Sequence, residues 1–110
     1  MAAEWAGTKR EFVRRAGFAL MAGLAMKDKK APDEDFEALL PLIAGAATDQ
    51  RNLVKKSVNW ALRAIGKRDP RLRSAAIAAA ENIRAIDSPS ARWIASDALR
   101  ELRGLRPVVD

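Results

Sequence analysis

DQRNLVKKSVNWALRAIGKR, residues 49–68, is the stretch whose reading decides the fold. Its apolar side chains, Leu53, Val54, Val58, Ala61, Leu62 and Ile65, recur at the spacing of a helix with one buried stripe. Lys55, Lys56, Asn59 and Arg63 fall largely off that stripe, so a single helix carries a core face and a basic face. Trp60 stands at the border between the two. An indole placed there is either a core plug or the wall of a binding groove.

Four more helices are expected around this one. Thr8 with Glu11 three residues later reads as a capping box, and Phe12, Val13, Ala16, Ala19, Leu20, Gly23 and Leu24 continue a stripe to about Met26. Positive charge at 27–30 suits the negative end of that helix's dipole. A second helix is expected over 33–45, with Phe36, Leu39, Leu40 and Ile43 as its stripe and acids in its first turn. Pro41 should bend it or split it after Leu40. The central helix is expected to be capped by Thr48 or Asp49 and to end near Gly66. Asp69 followed by Pro70 opens a fourth helix to about Ile86, with Leu72, Ala75, Ala76, Ala79, Ala80 and Ile83 inward. Ser88 and Pro89 repeat that start signal for a fifth, carrying Ile94, Ala95, Ala98, Leu99 and Leu102 to Gly104. The residues after it are expected to be a frayed tail.

Composition narrows the chemistry. The 110 residues suit one small domain, and 20 Lys and Arg against 14 Asp and Glu leave a net charge of +6. That balance favours an anionic partner such as nucleic acid. Without Cys or His there are no disulfides, no thiolate metal sites and none of the usual transition-metal ligands, so neither a metal nor another cofactor is expected. No apolar run is long enough to span a membrane, nothing reads as a signal peptide, and a cytoplasmic setting is consistent with this.

The alternate helices resemble one another. Residues 54–65, VKKSVNWALRAI, align with 91–102, ARWIASDALREL, at an offset of 37, and the ALR triplets coincide. Residues 13–16 align with 54–57 at an offset of 41. Two-helix periods of this size belong to HEAT or armadillo-like solenoids, so the fold expected is an all-α superhelix of about five helices in antiparallel pairs, forming one partial solenoid over 1–110. Stacking would place Arg14, Lys55 and Arg92 in one row, Arg15, Lys56 and Trp93 in the next, and Arg63 beside Arg100. Rows of cations without acids make a track for a phosphate backbone; the plainer reading is a solvated helix face.

The runs EFVRRAGFALMAGLA (11–25), DQRNLVKKSVNWALRAIGKR and ARWIASDALREL resemble the DNA alkylation repair family of HEAT-like DNA glycosylases. The resemblance spans residues 4–102 and implies a curved solenoid that cradles duplex DNA in a basic hollow. It further implies excision of cationic N3- or N7-alkylated purines without flipping the base into a pocket. The family's catalytic group is an aspartate, assisted by an arginine and by tryptophans lining the cleft. Arg15 matches that arginine and Trp60 a cleft tryptophan. The aspartate and a second tryptophan stand upstream of the arginine helix in the family, whereas only fourteen residues precede Arg15 here; Trp5 cannot fill both roles and Glu4 lacks a helix to hold it. The likeness is therefore expected to be to the C-terminal part of a family member, and catalysis by this chain is left open.

Within the chain, Asp97 occupies the repeat position of Trp60 and is the best substitute carboxylate, although pairing with Arg100, Arg63 or Lys56 explains it more simply. Arg15 is either a phosphate clamp or an acid-paired surface arginine. The expected function is thus duplex DNA binding through Arg14, Arg15, Lys55, Lys56, Trp60, Arg63 and Arg92, without base release by the chain alone. A HEAT-like protein-interaction or scaffold module is the alternative. Apolar residues Phe12, Phe18 and Leu20 at the first edge would be covered by a second copy, an absent N-terminal half, or a short helix at 1–7.

Overall fold

A computed structural model describes residues 3, 10–28 and 30–104. Glu4, Trp5, Thr8 and the tail after Gly104, on which several expectations rested, lie outside the described residues. Within residues 10–104 as described, six helical segments follow in order: α1 (Glu11–Lys27), α2 (Asp33–Glu37), α3 (Leu40–Ala46), α4 (Asn52–Gly66), α5 (Pro70–Arg84) and α6 (Pro89–Gly104). Among the described residues there are no strands. Counting α2 and α3 as the one helix that Pro41 interrupts, this is the five-helix, all-α arrangement expected. The interruption falls at Ala38 and Leu39, ahead of Leu40, because Pro41 settles into the first turn of α3 where its missing N–H costs nothing.

Helix α4 is the hub. It packs against α1 on one flank and α6 on the other, and also touches α3 and α5. Nine of its fifteen residues are buried, more than one stripe can supply, since neighbours cover it on several sides. Helices α1, α4 and α6 form one layer; α2 with α3, and α5, form the other. The described chain is a slab of 43 × 29 × 18 Å, as stacked two-helix repeats should be. Fully buried Val54, Val58, Leu62, Ile65, Leu72, Ile83, Ile94 and Leu102 make up much of the core, each side chain of this kind contributing about 1.5–3 kcal/mol.

Three local expectations need correction. The first concerns α1, whose buried residues are Gly17, Phe18, Met21, Ala22 and Ala25, whereas Phe12, Ala16, Leu20 and Leu24 are exposed. This helix is apolar nearly all round, so periodicity alone could not select its inner face. The flank chosen is the one whose glycine and alanines allow a close approach to α4. Secondly, α1 begins after Arg10, which has extended backbone and makes no side-chain cap, rather than at Thr8. Finally, α4 begins after Arg51, not at Thr48 or Asp49. Asp49 accepts the Arg51 backbone N–H at 3.0 Å and ties down the turn instead. The Asp69 cap stands as expected, its carboxylate accepting the Leu72 N–H at 2.8 Å.

Gly66 closes α4 with ordinary helical backbone, so its role is space. A Cβ there would meet the Leu102 methyls at 2.7 and 2.8 Å and the Ala76 Cβ at 3.1 Å. The glycine lets α4, α5 and α6 converge at one end of the slab.

Candidate nucleic-acid interface

The solvent side of α4 repeats every three or four residues. Leu53, Lys56, Trp60 and Lys67 are exposed on it, and Arg63 is half-buried. Trp60 shows 39% of its surface, too much for a core plug. One of its sides faces an open cavity of about 320 Å³ lined by Ala25 and Met26 of α1, by Trp60, Arg63 and Ala64, and by Lys67 and Arg68 at the end of α4. Arg15 is exposed on α1. Among the described residues, Arg15 and Lys56 make no ion pair.

The floor beside the cavity is a connected polar network. Buried Asn59 donates from Nδ2 to the Ile94 carbonyl at 3.1 Å, joining α4 to α6, and its Oδ1 accepts from Arg63 Nε at 2.7 Å. Arg63 Nη1 then donates to Glu101 Oε2 at 2.8 Å, and Lys67 pairs with the other oxygen of the same carboxylate. Burial pushes the Glu101 carboxyl up, but its hydrogen bonds from Lys67 and Arg63 outweigh that and hold it below the usual range. Asp97 accepts from Arg100 and lies 3.9 Å from Arg63.

The remaining candidate cations are engaged elsewhere. Arg14 Nη1 donates to Asp49 at 3.1 Å, and Arg51 donates to both oxygens of that carboxylate. The hydrogen bond from Arg51 lowers the Asp49 carboxyl from its ordinary value against the opposing effect of burial. Ser90 Oγ donates to the Asp49 carbonyl, so α1, α6 and the Arg51 cap of α4 all meet at this one residue. Lys55 Nζ sits 4.9 Å from the centroid of the Trp93 ring. Arg92 pairs with exposed Asp87. Helix α4 therefore carries Lys56, Trp60 and Arg63 along one side and Arg15 is exposed on neighbouring α1, while Arg14, Lys55 and Arg92 each have a local partner.

Sequence reasoning passed over Asn59, Lys67, Arg68 and Glu101. Asn59 had been assigned to the basic face, yet it is 2% exposed. The available signal was its i, i+4 relation to Arg63, a spacing at which an amide can steer a guanidinium. Arg68 appeared only as part of a helix end, whereas it donates to the carbonyls of Ala25 at 3.0 Å, Asp28 at 2.6 Å and Ala31 at 3.0 Å. Nothing local in sequence pairs residue 68 with residues 25–31.

The sequence model described as DNA alkylation repair enzyme matches residues 1–102. The chain belongs to this family. No curated protein and no solved structure shows a significant match. Because the match begins at residue 1 and covers nearly the whole chain, the expectation of a likeness confined to a C-terminal part is overturned. That expectation rested on too few residues standing ahead of Arg15, and the match includes them. In this DNA alkylation repair family member no helix among the described residues is long and apolar enough to cross a membrane, and no three carboxylates among them gather as a metal site. What the face offers is positioning chemistry: guanidinium and ammonium groups for phosphate oxygens, and an indole for a base or a cation.

Proposed function

We propose that the protein binds duplex DNA through the solvent side of the α1, α4 and α6 layer. Arg15 and Lys56 would hold backbone phosphates, and Trp60 would lie against the bound strand beside Arg63. The observation that carries this reading is that Arg15 and Lys56 are exposed without acid partners among the described residues, Lys56 one turn ahead of the half-exposed Trp60 indole on α4, in a chain of net charge +6. Binding of this kind is blind to sequence and governed by counterion release. Membership in the DNA alkylation repair family supports alkylated DNA as the substrate class of this proposal, with N3- or N7-alkylated purines as the lesions, whose positive charge an indole face favours.

The test is duplex affinity, by fluorescence anisotropy, across a salt series. The logarithm of affinity should fall linearly with the logarithm of salt concentration. A flat response, or unchanged affinity in the Arg15→Ala, Lys56→Ala double variant, ends the reading. Base release is proposed to be absent from the chain by itself, since Asp97 is already shared by Arg100 and Arg63. Freed base from a methylated duplex, lost in Asp97→Asn, would overturn that part.

A protein-interaction module is the second reading, favoured by one observation: Phe12 is 75% exposed on α1, where Leu20 and Leu24 are exposed as well. A peptide partner that displaces duplex from the protein, with displacement lost in Phe12→Ser, would favour it.

A further inference from the structure

We propose that Arg63 and Lys67 form a phosphate seat that the protein's own Glu101 carboxylate occupies, so that Glu101 is an internal competitor for DNA. The inference deepens the duplex-binding reading and rests on it.

Four observations carry it. The Glu101 carboxylate spans two cations, one oxygen on Arg63 Nη1 and the other on Lys67 Nζ, the arrangement in which two basic side chains hold a phosphate oxyanion. The three side chains are 28%, 44% and 30% exposed for Arg63, Lys67 and Glu101, so a ligand reaches them from solvent. Both cations line the cavity beside Trp60, on the side of α4 that also carries Lys56. Lastly, the Arg63 guanidinium is held from behind by buried Asn59 through Nε, so it keeps its direction when the carboxylate leaves.

Glu101 therefore has two consequences. It satisfies Arg63 and Lys67 in the free protein, and it must swing away before a phosphate can enter, which lowers affinity and removes those cations from the count of phosphate contacts. Asp97, 3.9 Å from Arg63 Nε, is the nearest other acid on the network, but it is engaged by Arg100 and does not span the pair.

The experiment compares Glu101→Gln with Glu37→Gln, an equal change in charge on α2 in the other layer, where Glu37 pairs with Arg71. In Glu101→Gln, duplex affinity should rise roughly fivefold or more over Glu37→Gln, and the salt slope should steepen by about one phosphate contact or more. Lys67→Met should cost more affinity in the Glu101→Gln background than in the parent, which a purely structural ion pair would not produce. Urea midpoints confirm that each variant is folded.

Inorganic pyrophosphate probes the seat without DNA. It should shift the Arg63 Nε–H resonance at lower concentration in Glu101→Gln than in the parent. If pyrophosphate shifts that resonance while no duplex binds, the seat stands and the duplex reading fails. If duplex binds but Glu101→Gln behaves as Glu37→Gln does and Lys67→Met has no effect in either background, the seat is overturned and the duplex reading stands.

Discussion

The Arg68 guanidinium carbon sits 4.0 Å from the centroid of the Phe36 ring, so a side chain at the end of α4 is clasped by the first segment of the opposite layer. Its nitrogens donate to three carbonyls at and beyond the end of α1, where a positive charge also meets the dipole's negative end. One residue thereby links α1, the 28–31 turn, α2 and α4.

Arg68→Met should cost about 2–4 kcal/mol, because carbonyls that accept charged hydrogen bonds are left with poorer partners and the ring loses its cation. Arg68→Lys should restore less than half of that loss, since an ammonium cannot reproduce a planar group reaching three acceptors. Urea unfolding measures both, and a lysine variant of wild-type stability would show that charge alone matters here.

At Asp49 the prediction concerns pH. Its folded-state pKa is depressed, so it contributes stability above the ordinary carboxylate value near 3.8 and loses that contribution as pH falls through the lower folded value. Asp49→Asn should therefore destabilise the protein at neutral pH, by about 2–3 kcal/mol for a mostly buried carboxylate accepting from two arginines. The penalty should shrink below about pH 4 as the parent's own carboxyl becomes protonated. Unfolding free energies of the two proteins measured from neutral to acid pH should converge; parallel curves would show that the charge is not what Asp49 supplies.

Gly66 gives a packing prediction. The fully buried Leu102 methyls would stand 2.7 and 2.8 Å from an added Cβ and have nowhere to retreat, so Gly66→Ala should destabilise by about 1–3 kcal/mol despite alanine's better helix propensity. Shortening the neighbour relieves the clash: Gly66→Ala with Leu102→Ala should lose clearly less than the sum of the two single losses. Additive losses would place the strain elsewhere.

The parts of this architecture legible in sequence were those where one signal had no rival. Asp69 with Pro70, and Ser88 with Pro89, marked α5 and α6 because a cap followed by proline fits few other structures. The inner stripes of both helices were readable too, although Ile77, outside the stripe expected for α5, also packs against the core. Helix α1 was not, since EFVRRAGFALMAGLAMK offers apolar residues on several faces and only its fit against α4 selects Phe18 and Met21 over Phe12 and Leu20. At the candidate interface, stacking by repeat offset put the right helices side by side but said nothing of side-chain partners. Arg14 and Arg15 are adjacent in sequence, yet the 100° turn between them sends one to Asp49 and the other to solvent. Glu101 and Lys67 come from different helices, and their pairing depends on how closely α4 and α6 approach at Gly66.

That separation of Arg14 from Arg15 yields the sharpest prediction for binding. Arg14 is 19% exposed and bonded to Asp49, so Arg14→Ala should appear chiefly as lost stability, with duplex affinity little changed in the protein that remains folded. Arg15 is exposed and has no acid partner among the described residues, so Arg15→Ala should leave the urea midpoint nearly unchanged while lowering affinity and reducing the salt slope by about one. Lys56→Ala should resemble Arg15→Ala. Lys55→Ala should stand between the two patterns, because its ammonium rests over Trp93 and is shared between packing and solvent. The decisive comparison is whether the effects on affinity and on stability fall on different members of the arginine pair. If both arginines changed affinity equally with no loss of stability, the Asp49 contact would be incidental and the whole helix end would serve as a diffuse cation. If only Arg14 mattered to binding, the solvent side of this layer could not be the surface on which the duplex rests.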